Sequence, residues 1–261
     1  MRRIVVYTAI FNNYDWLKDP HIVSDKVDYV CFTDSDTLKS DIWKIVVVKE
    51  RDISPSLLNR KIKLLYPYTY FKDYDYSLYV DGSVMIKSDV YEFLNKYVVN
   101  DPLLMNFQHP GNDCIFVEID NCVKEGLGNA EKLKEQYDVY KADGMPSHYG
   151  LSDNKIILRK NCEEGYTLMS EWFDHVCNYS GRDQVCLSYV LWKHGLKYNF
   201  FDEVIEQNQY FETWPHNNAP WYMVTWRKMK WWSERTGFGW GVFKFLNNKV
   251  KPIYLKRRGI Q

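Results

Sequence analysis

The 261-residue chain has no long hydrophobic run, no repeat, no heptad pattern, no low-complexity segment and no Pro/Gly-rich linker. These absences exclude solenoids, coiled coils and a string of loosely tethered domains. Met1-Arg2-Arg3 precedes only three purely apolar residues before Tyr7 and Thr8, too few for a secretory core and far too few for a membrane span. The expectation is a cytoplasmic protein, at most peripheral at the inner face of a membrane. None of the six cysteines forms a C-x-x-C pair, so neither a zinc ribbon nor a redox couple is suggested, and the thiols read as buried in a reducing compartment. The six histidines show no paired ligand spacing and there is no G-x-S-x-G elbow. A metal-dependent hydrolase of a lipid or glycoside is therefore an alternative with little to carry it.

What is present is unevenly spread. Lys plus Arg and Asp plus Glu balance at 34 each, yet from Trp221 to Gln261 ten Lys or Arg face one acid, Glu234, and five of the ten tryptophans lie there. This basic aromatic tail suggests a non-catalytic binding module for RNA as a further reading, but the rest of the chain carries the opposite excess, which argues against a nucleic-acid footprint over the domain. The division expected is a catalytic domain over residues 1–220 and a basic, Trp-rich extension over 221–261.

Four short buried strands can be read in "RRIVVYTAIF", "VDYVCFTDSD", "IWKIVVVKE" and "YSLYVDGS". Ser54-Pro55 opens a helical run from Leu57 to Leu65. Later, "NAEKLKEQYDVYKADG", "EEGYTLMSEWFDHVCNYS" and "RDQVCLSYVLWKHG" read as helices, "GLSDNKIILRKN" holds a strand over Lys155 to Arg159, and "NFQHPGNDCIFVEID" reads as loop residues plus an edge strand. Strands alternating with helices, each strand ending in polar residues, predict an open α/β sheet.

Ligands of such sheets collect at the carboxyl ends of the strands. Those ends supply Thr8, Ala9, Ile10, Phe11 and Asn12, then Thr33 and Asp34, then Asp81, Gly82 and Ser83. Asp-Gly-Ser after a strand has a plain reading, a hairpin turn with Val84 to Ile86 returning, and a sharper one, a carboxylate holding a divalent cation and a phosphate. Arg60 and Lys63, three apart on one helical face, would suit a diphosphate. Asp183 and Gln184 stand at a helix start, where the dipole favours a carboxylate. His109 and Glu118, with Asp153, are candidates to contact an acceptor.

Six segments in order resemble a glycosyltransferase-like family with bacterial members and plant wall-polysaccharide members: "VVYTAIFNNYD", "NRKIKLLYPYTYF", "YSLYVDGSVMI", "FQHPGNDCIFVE", "GLSDNKIILRKN" and "RDQVCLSYVLWK". The resemblance implies a single Rossmann-like A-type glycosyltransferase domain with a mixed central sheet. It also implies a nucleotide-sugar donor, UDP-linked by preference, a glycan or glycolipid acceptor, and Mn or Mg. Asp81-Gly82-Ser83 would occupy the Asp-x-Asp place, with Ser83 where the second carboxylate belongs and His216 a candidate ligand in its stead. Thr8 to Asn12 and Asp34 would face the nucleotide, and Arg60 and Lys63 the diphosphate. The Arg-Asp-Gln triplet further resembles a segment of retaining galactosyltransferases. That would set Asp183 against the acceptor and Gln184 beside the anomeric carbon. The basic extension is expected to favour an anionic membrane surface.

Overall fold

The computed structural model describes residues 2–205 and 207–236. They fall into two compact units, Met1–Thr213 and Trp214–Gln261, a few residues earlier than the division expected at Pro220. In the first unit, β1 (Ile4–Ile10), β2 (Asp28–Thr33), β3 (Lys44–Val47) and β4 (Tyr76–Val80) form the parallel part of a six-stranded sheet. Two further strands, β6 (Leu104–Gln108) and β7 (Ser152–Lys160), complete it in the order β3-β2-β1-β4-β7-β6. Strand β7 runs antiparallel to both its neighbours, so the sheet is mixed. All seven residues of β1 are buried. That is what a strand covered on both faces requires, and why it reads as a near-continuous apolar run.

The alternation of β1 sorts the two faces. Ile4, Val6 and Ile10 join one cluster with α3 (Val90–Val98), while Val5, Tyr7 and Ala9 join the other with α1 (Pro55–Leu65) and α6 (Glu163–Asn178). Helix α1 begins where Ser54 accepts the Leu57 amide hydrogen with Pro55 just inside, as a side-chain cap with a pre-set φ should. A third cluster joins α4 (Ile115–Lys124) to α5 (Ala130–Ala142). Helix α5 is followed by Gly144 at φ +86°, the left-handed position that ends a helix most easily in glycine.

Several expectations are corrected. Val84–Ile86 is a strand, β5, but it does not return along β4 as a hairpin. Both edges of β4 are occupied, by β1 and β7, and β5 pairs instead with β8 (Phe211–Thr213). The edge strand in "NFQHPGNDCIFVEID" is β6 alone. The following "IFVEI" belongs to α4, whose Ile115, Ile119 and Cys122 are buried at spacings of four and three, the helical period. Helix α3 has no counterpart in the sequence reading. The stretch "RDQVCLSYVLWKHG" is no single helix: a 3-10 turn over Asp183–Val185 precedes α7 (Leu187–Lys193). Three residues of 3-10 turn provide little dipole, so the carboxylate of Asp183 needs another partner.

The small β5–β8 sheet is tied to the main sheet by an aromatic cluster. Phe93 of α3 is wholly buried and its ring meets Phe107, Phe201, Tyr210 and Phe211. Phe93→Ala should therefore cost about 4 kcal/mol, read as a lower denaturation midpoint in urea with an unchanged slope.

Candidate functional site

The strand order reverses between β1 and β4, since β2 and β3 lie on one side and β7 and β6 on the other. A crevice at the carboxyl ends of the two strands is the expected place for a ligand in an open α/β sheet. Being antiparallel, β7 brings its first residues to this same edge: Asp81 donates its amide hydrogen to the Lys155 carbonyl at 2.7 Å. Asp153, nearly buried, holds the Lys155 ammonium at 2.6 Å. His109, just past the end of β6, accepts from the amides of Gly111 and Asn112 through Nδ1. These two amides set the orientation of the ring. Glu118 is buried in the first turn of α4 and accepts from the Asn112 side chain.

The loop after β1 crosses this edge. Asn12 and Asn13 both take positive φ, 53° and 51°, a region asparagine tolerates better than most residues. The Asn12 amide donates to both carboxylate oxygens of Asp34 at the end of β2. Thr8, Ala9 and Ile10 are buried in β1, and the Ala9 carbonyl accepts from Asn59 of α1 at 2.8 Å.

Two residues further on, the loop delivers Asp15, which is buried. Its carboxylate comes within 4.8 Å of that of Asp81. A Cβ on Gly82 would lie 2.9 Å from both Cβ and Oδ2 of Asp15, so glycine is needed there for closeness, not for conformation. The Gly82 carbonyl accepts from the buried Lys18 ammonium at 2.5 Å. Ser83, expected as a ligand in the second carboxylate's place, donates both its amide and its hydroxyl hydrogen to Asp81 Oδ1, at 2.9 and 2.7 Å. It aims the Asp81 carboxylate. His216 belongs to the second unit, Trp214–Gln261.

A second charged cluster lies on the α1 face. Lys63 is buried and its ammonium meets Asp183 Oδ2 at 2.5 Å, while Arg60 Nε is 3.8 Å from Oδ1. The two cations expected on a diphosphate and the carboxylate expected beside an acceptor thus form one group. Burial would raise the Asp183 pKa, but Lys63 and then Arg60 outweigh it and hold it down at about 2. The backbone of Asp183 is fixed as well, its carbonyl accepting from the indole of Trp172 at 2.9 Å. Gln184 is half-buried next to it.

Tyr79 joins the two groups. It is wholly buried in β4, with the Lys63 ammonium 5.0 Å from its ring centroid and its hydroxyl 3.4 Å from Asp81 Oδ2. Burial first, then the charge of Asp81, pushes its pKa far above the ordinary phenol value. Tyr79 is consequently a hydrogen-bond donor at every working pH.

Comparison with known proteins decides what this arrangement belongs to, because residues 1–216 match the family described as the TOD1/MUCI70 glycosyltransferase-like domain. The chain belongs to that family. A curated relative, "Probable hexosyltransferase MUCI70" of Arabidopsis thaliana, is 26% identical over 226 residues, which is 76% of this chain and 39% of that protein. A solved structure of the bifunctional glycosyltransferase WbbM, in its apo form, aligns with 76% of this chain and 39% of its own, at 13% identity and a TM-score of 0.43. The chain thus spans about two fifths of either relative's length.

Within this glycosyltransferase-like domain the sequence reading missed Asp15, Asn59 and Tyr79. A signal was available for each: Asp15 closes the first of the six recurring segments, Asn59 opens the second and Tyr79 lies inside the third.

The Lys63–Asp183 pair generates a stability prediction. Asp183→Asn leaves a buried ammonium without its countercharge and should cost about 3 kcal/mol, while the Lys63→Met, Asp183→Leu double variant should recover most of it. Because the folded pKa of Asp183 is depressed to about 2, its contribution is complete above about pH 4 and is lost as pH falls through the folded value. Urea titrations of wild type and Asp183→Asn between neutral and acid pH should therefore converge only at the acid end.

Proposed function

We propose that the domain transfers a hexose from a nucleoside diphosphate donor, UDP-linked by preference, to a glycan or lipid-linked glycan acceptor of surface polysaccharide synthesis. The observation that carries this reading is the pair of carboxylates, Asp15 and Asp81, converging where the sheet order reverses. Family membership and the hexosyltransferase name of the plant relative support the reaction class.

The donor set fits a hard divalent cation, Mn or Mg, because carboxylate oxygens are the ligands such ions prefer. Asp81 and Asp15 would hold it, and His216 is the histidine the sequence offers as a further ligand. When bound, the cation supplies Lewis-acid stabilisation of the charge that develops on the departing diphosphate. Ser83 holds the Asp81 carboxylate in its orientation through two hydrogen bonds to one oxygen. Asp34 sets the loop after β1 through the Asn12 amide, and that loop is the proposed wall of the nucleotide site. Asn59 fixes the Ala9 carbonyl beneath it. Asp183 and Gln184 are proposed to meet the acceptor and the reacting sugar, with retention of configuration, Asp183 being held ready as an anion by Lys63 and Arg60. His109, Glu118 and Asp153 would line the acceptor side.

The test is a panel of nucleotide-sugars screened for hydrolysis and transfer, alongside melting curves with UDP or GDP, with and without Mn. A nucleoside diphosphate should raise the melting temperature more with Mn than without, and more than inorganic phosphate does. Asp81→Ala should lower turnover by more than about a hundredfold with the fold intact. Asp15→Ala should abolish the Mn-dependent part of the thermal shift, and Ser83→Ala should cost much less than either. Wild-type turnover by Asp81→Ala would defeat the carboxylate-site reading.

A further inference from the structure

We infer that the outward face of α8 (Trp221–Thr236) in the second unit is a docking surface for an anionic lipid bilayer. Trp221, Thr225, Lys228, Met229 and Trp232 are all exposed and recur at helical spacing, so they form one stripe. Trp221 is 74% exposed and Trp232 47%, eleven positions apart, which separates them by roughly 16 Å along the axis. Ser233, next in the chain, is buried and Val224, Trp226 and Arg227 are half-buried, so exposure is uneven around the helix, with Met223 exposed outside the stripe. Tryptophan is costly to leave in water and finds its best environment at the lipid headgroup boundary. Two such rings at the ends of one stripe, with a methionine between them, suit a helix lying in the plane of that boundary.

Charge says which surface. From Trp221 to Gln261 the chain carries ten Lys or Arg and one acid, while the remainder has the opposite excess. A negatively charged leaflet attracts such a segment at about fivefold in affinity for each cation near it. RNA is the weaker match, because methionine offers no stacking face for a base and suits the apolar side of a bilayer boundary. No described helix is long and apolar enough to cross a membrane, so the contact would lie on the surface. This inference does not depend on the proposed chemistry, which is read in solution with soluble donors.

Sedimentation with phosphatidylcholine vesicles, with and without about 30% phosphatidylserine, tests it directly on the full chain. At low salt the protein should partition at least about tenfold better onto the anionic vesicles and be released as salt rises. Trp221→Ser with Trp232→Ser should reduce that partitioning about tenfold with an unchanged melting temperature, and Lys228→Glu should reduce it about fivefold or more. Equal binding to neutral and anionic vesicles, or unaltered binding by the double tryptophan variant, would overturn the inference. So would displacement from the vesicles by a single-stranded RNA at equal phosphate concentration, which would assign the surface to nucleic acid instead.

Discussion

The buried pair between Lys63 and Asp183 is the constraint on which the architecture of the site rests. It joins residues 120 apart in sequence and locks α1 to the 3-10 turn that precedes α7. An ammonium and a carboxylate taken out of water lose several kcal/mol of hydration each, so neither is tolerable there without the other. Fixing α1 in this way also fixes Asn59 one turn earlier, and through it the Ala9 carbonyl at the start of the loop that leads to Asp15. One ion pair thereby sets the position of elements from both halves of the domain around the ends of β1 and β4.

Much of the scaffold was legible because its signals are local. Strands buried on both faces appear as short apolar runs stopping in polar residues, and Ser54-Pro55 marks a helix start whatever surrounds it. The site was legible only where chemistry and strand ends coincide, as at Asp34 and Asp81. Asp15 escaped because its place at the end of the first recurring segment says nothing of its chemistry, and it is not at a strand end. Its significance arises when the chain turns through Asn12 and Asn13 and lays it against Gly82. The "IFVEI" run was ambiguous for a different reason, since five apolar-rich residues satisfy a strand as well as a helix, and only the longer spacing to Cys122 decides. The plain reading of Val84–Ile86 as a hairpin return could not be decided from the sequence, because a hairpin requires a free edge and whether β4 has one is a property of the whole sheet.

The glycine of Asp-Gly-Ser changes meaning once the structure is known. As a turn residue it would be valued for positive φ; here it is valued for lacking a side chain, because Asp15 occupies the space a methyl group would take. Ser83 likewise is less a deficient second carboxylate than a donor that orients the first. In the proposed site the pair of carboxylates that an Asp-x-Asp segment would draw from one turn comes from Asp81 after β4 and Asp15 in the loop after β1.

That division bears on the proposed reaction through charge. Lys63 and Arg60 both face Asp183, so one of their two positive charges is offset within the protein and the cluster keeps a net positive charge. In the proposed transfer that net charge and a cation held at Asp81 and Asp15 would share the countercharge for the diphosphate. Tyr79 lies between the two clusters and stays protonated, so it transmits no charge of its own and donates toward Asp81 Oδ2 or Asn59 Oδ1, each 3.4 Å away. In the proposed transfer α1 would keep Asp183 ionised on the acceptor side, and a metal at Asp81 and Asp15 would serve the leaving group. The two halves of the proposed transfer are thus tuned by separate charges on either side of one buried tyrosine.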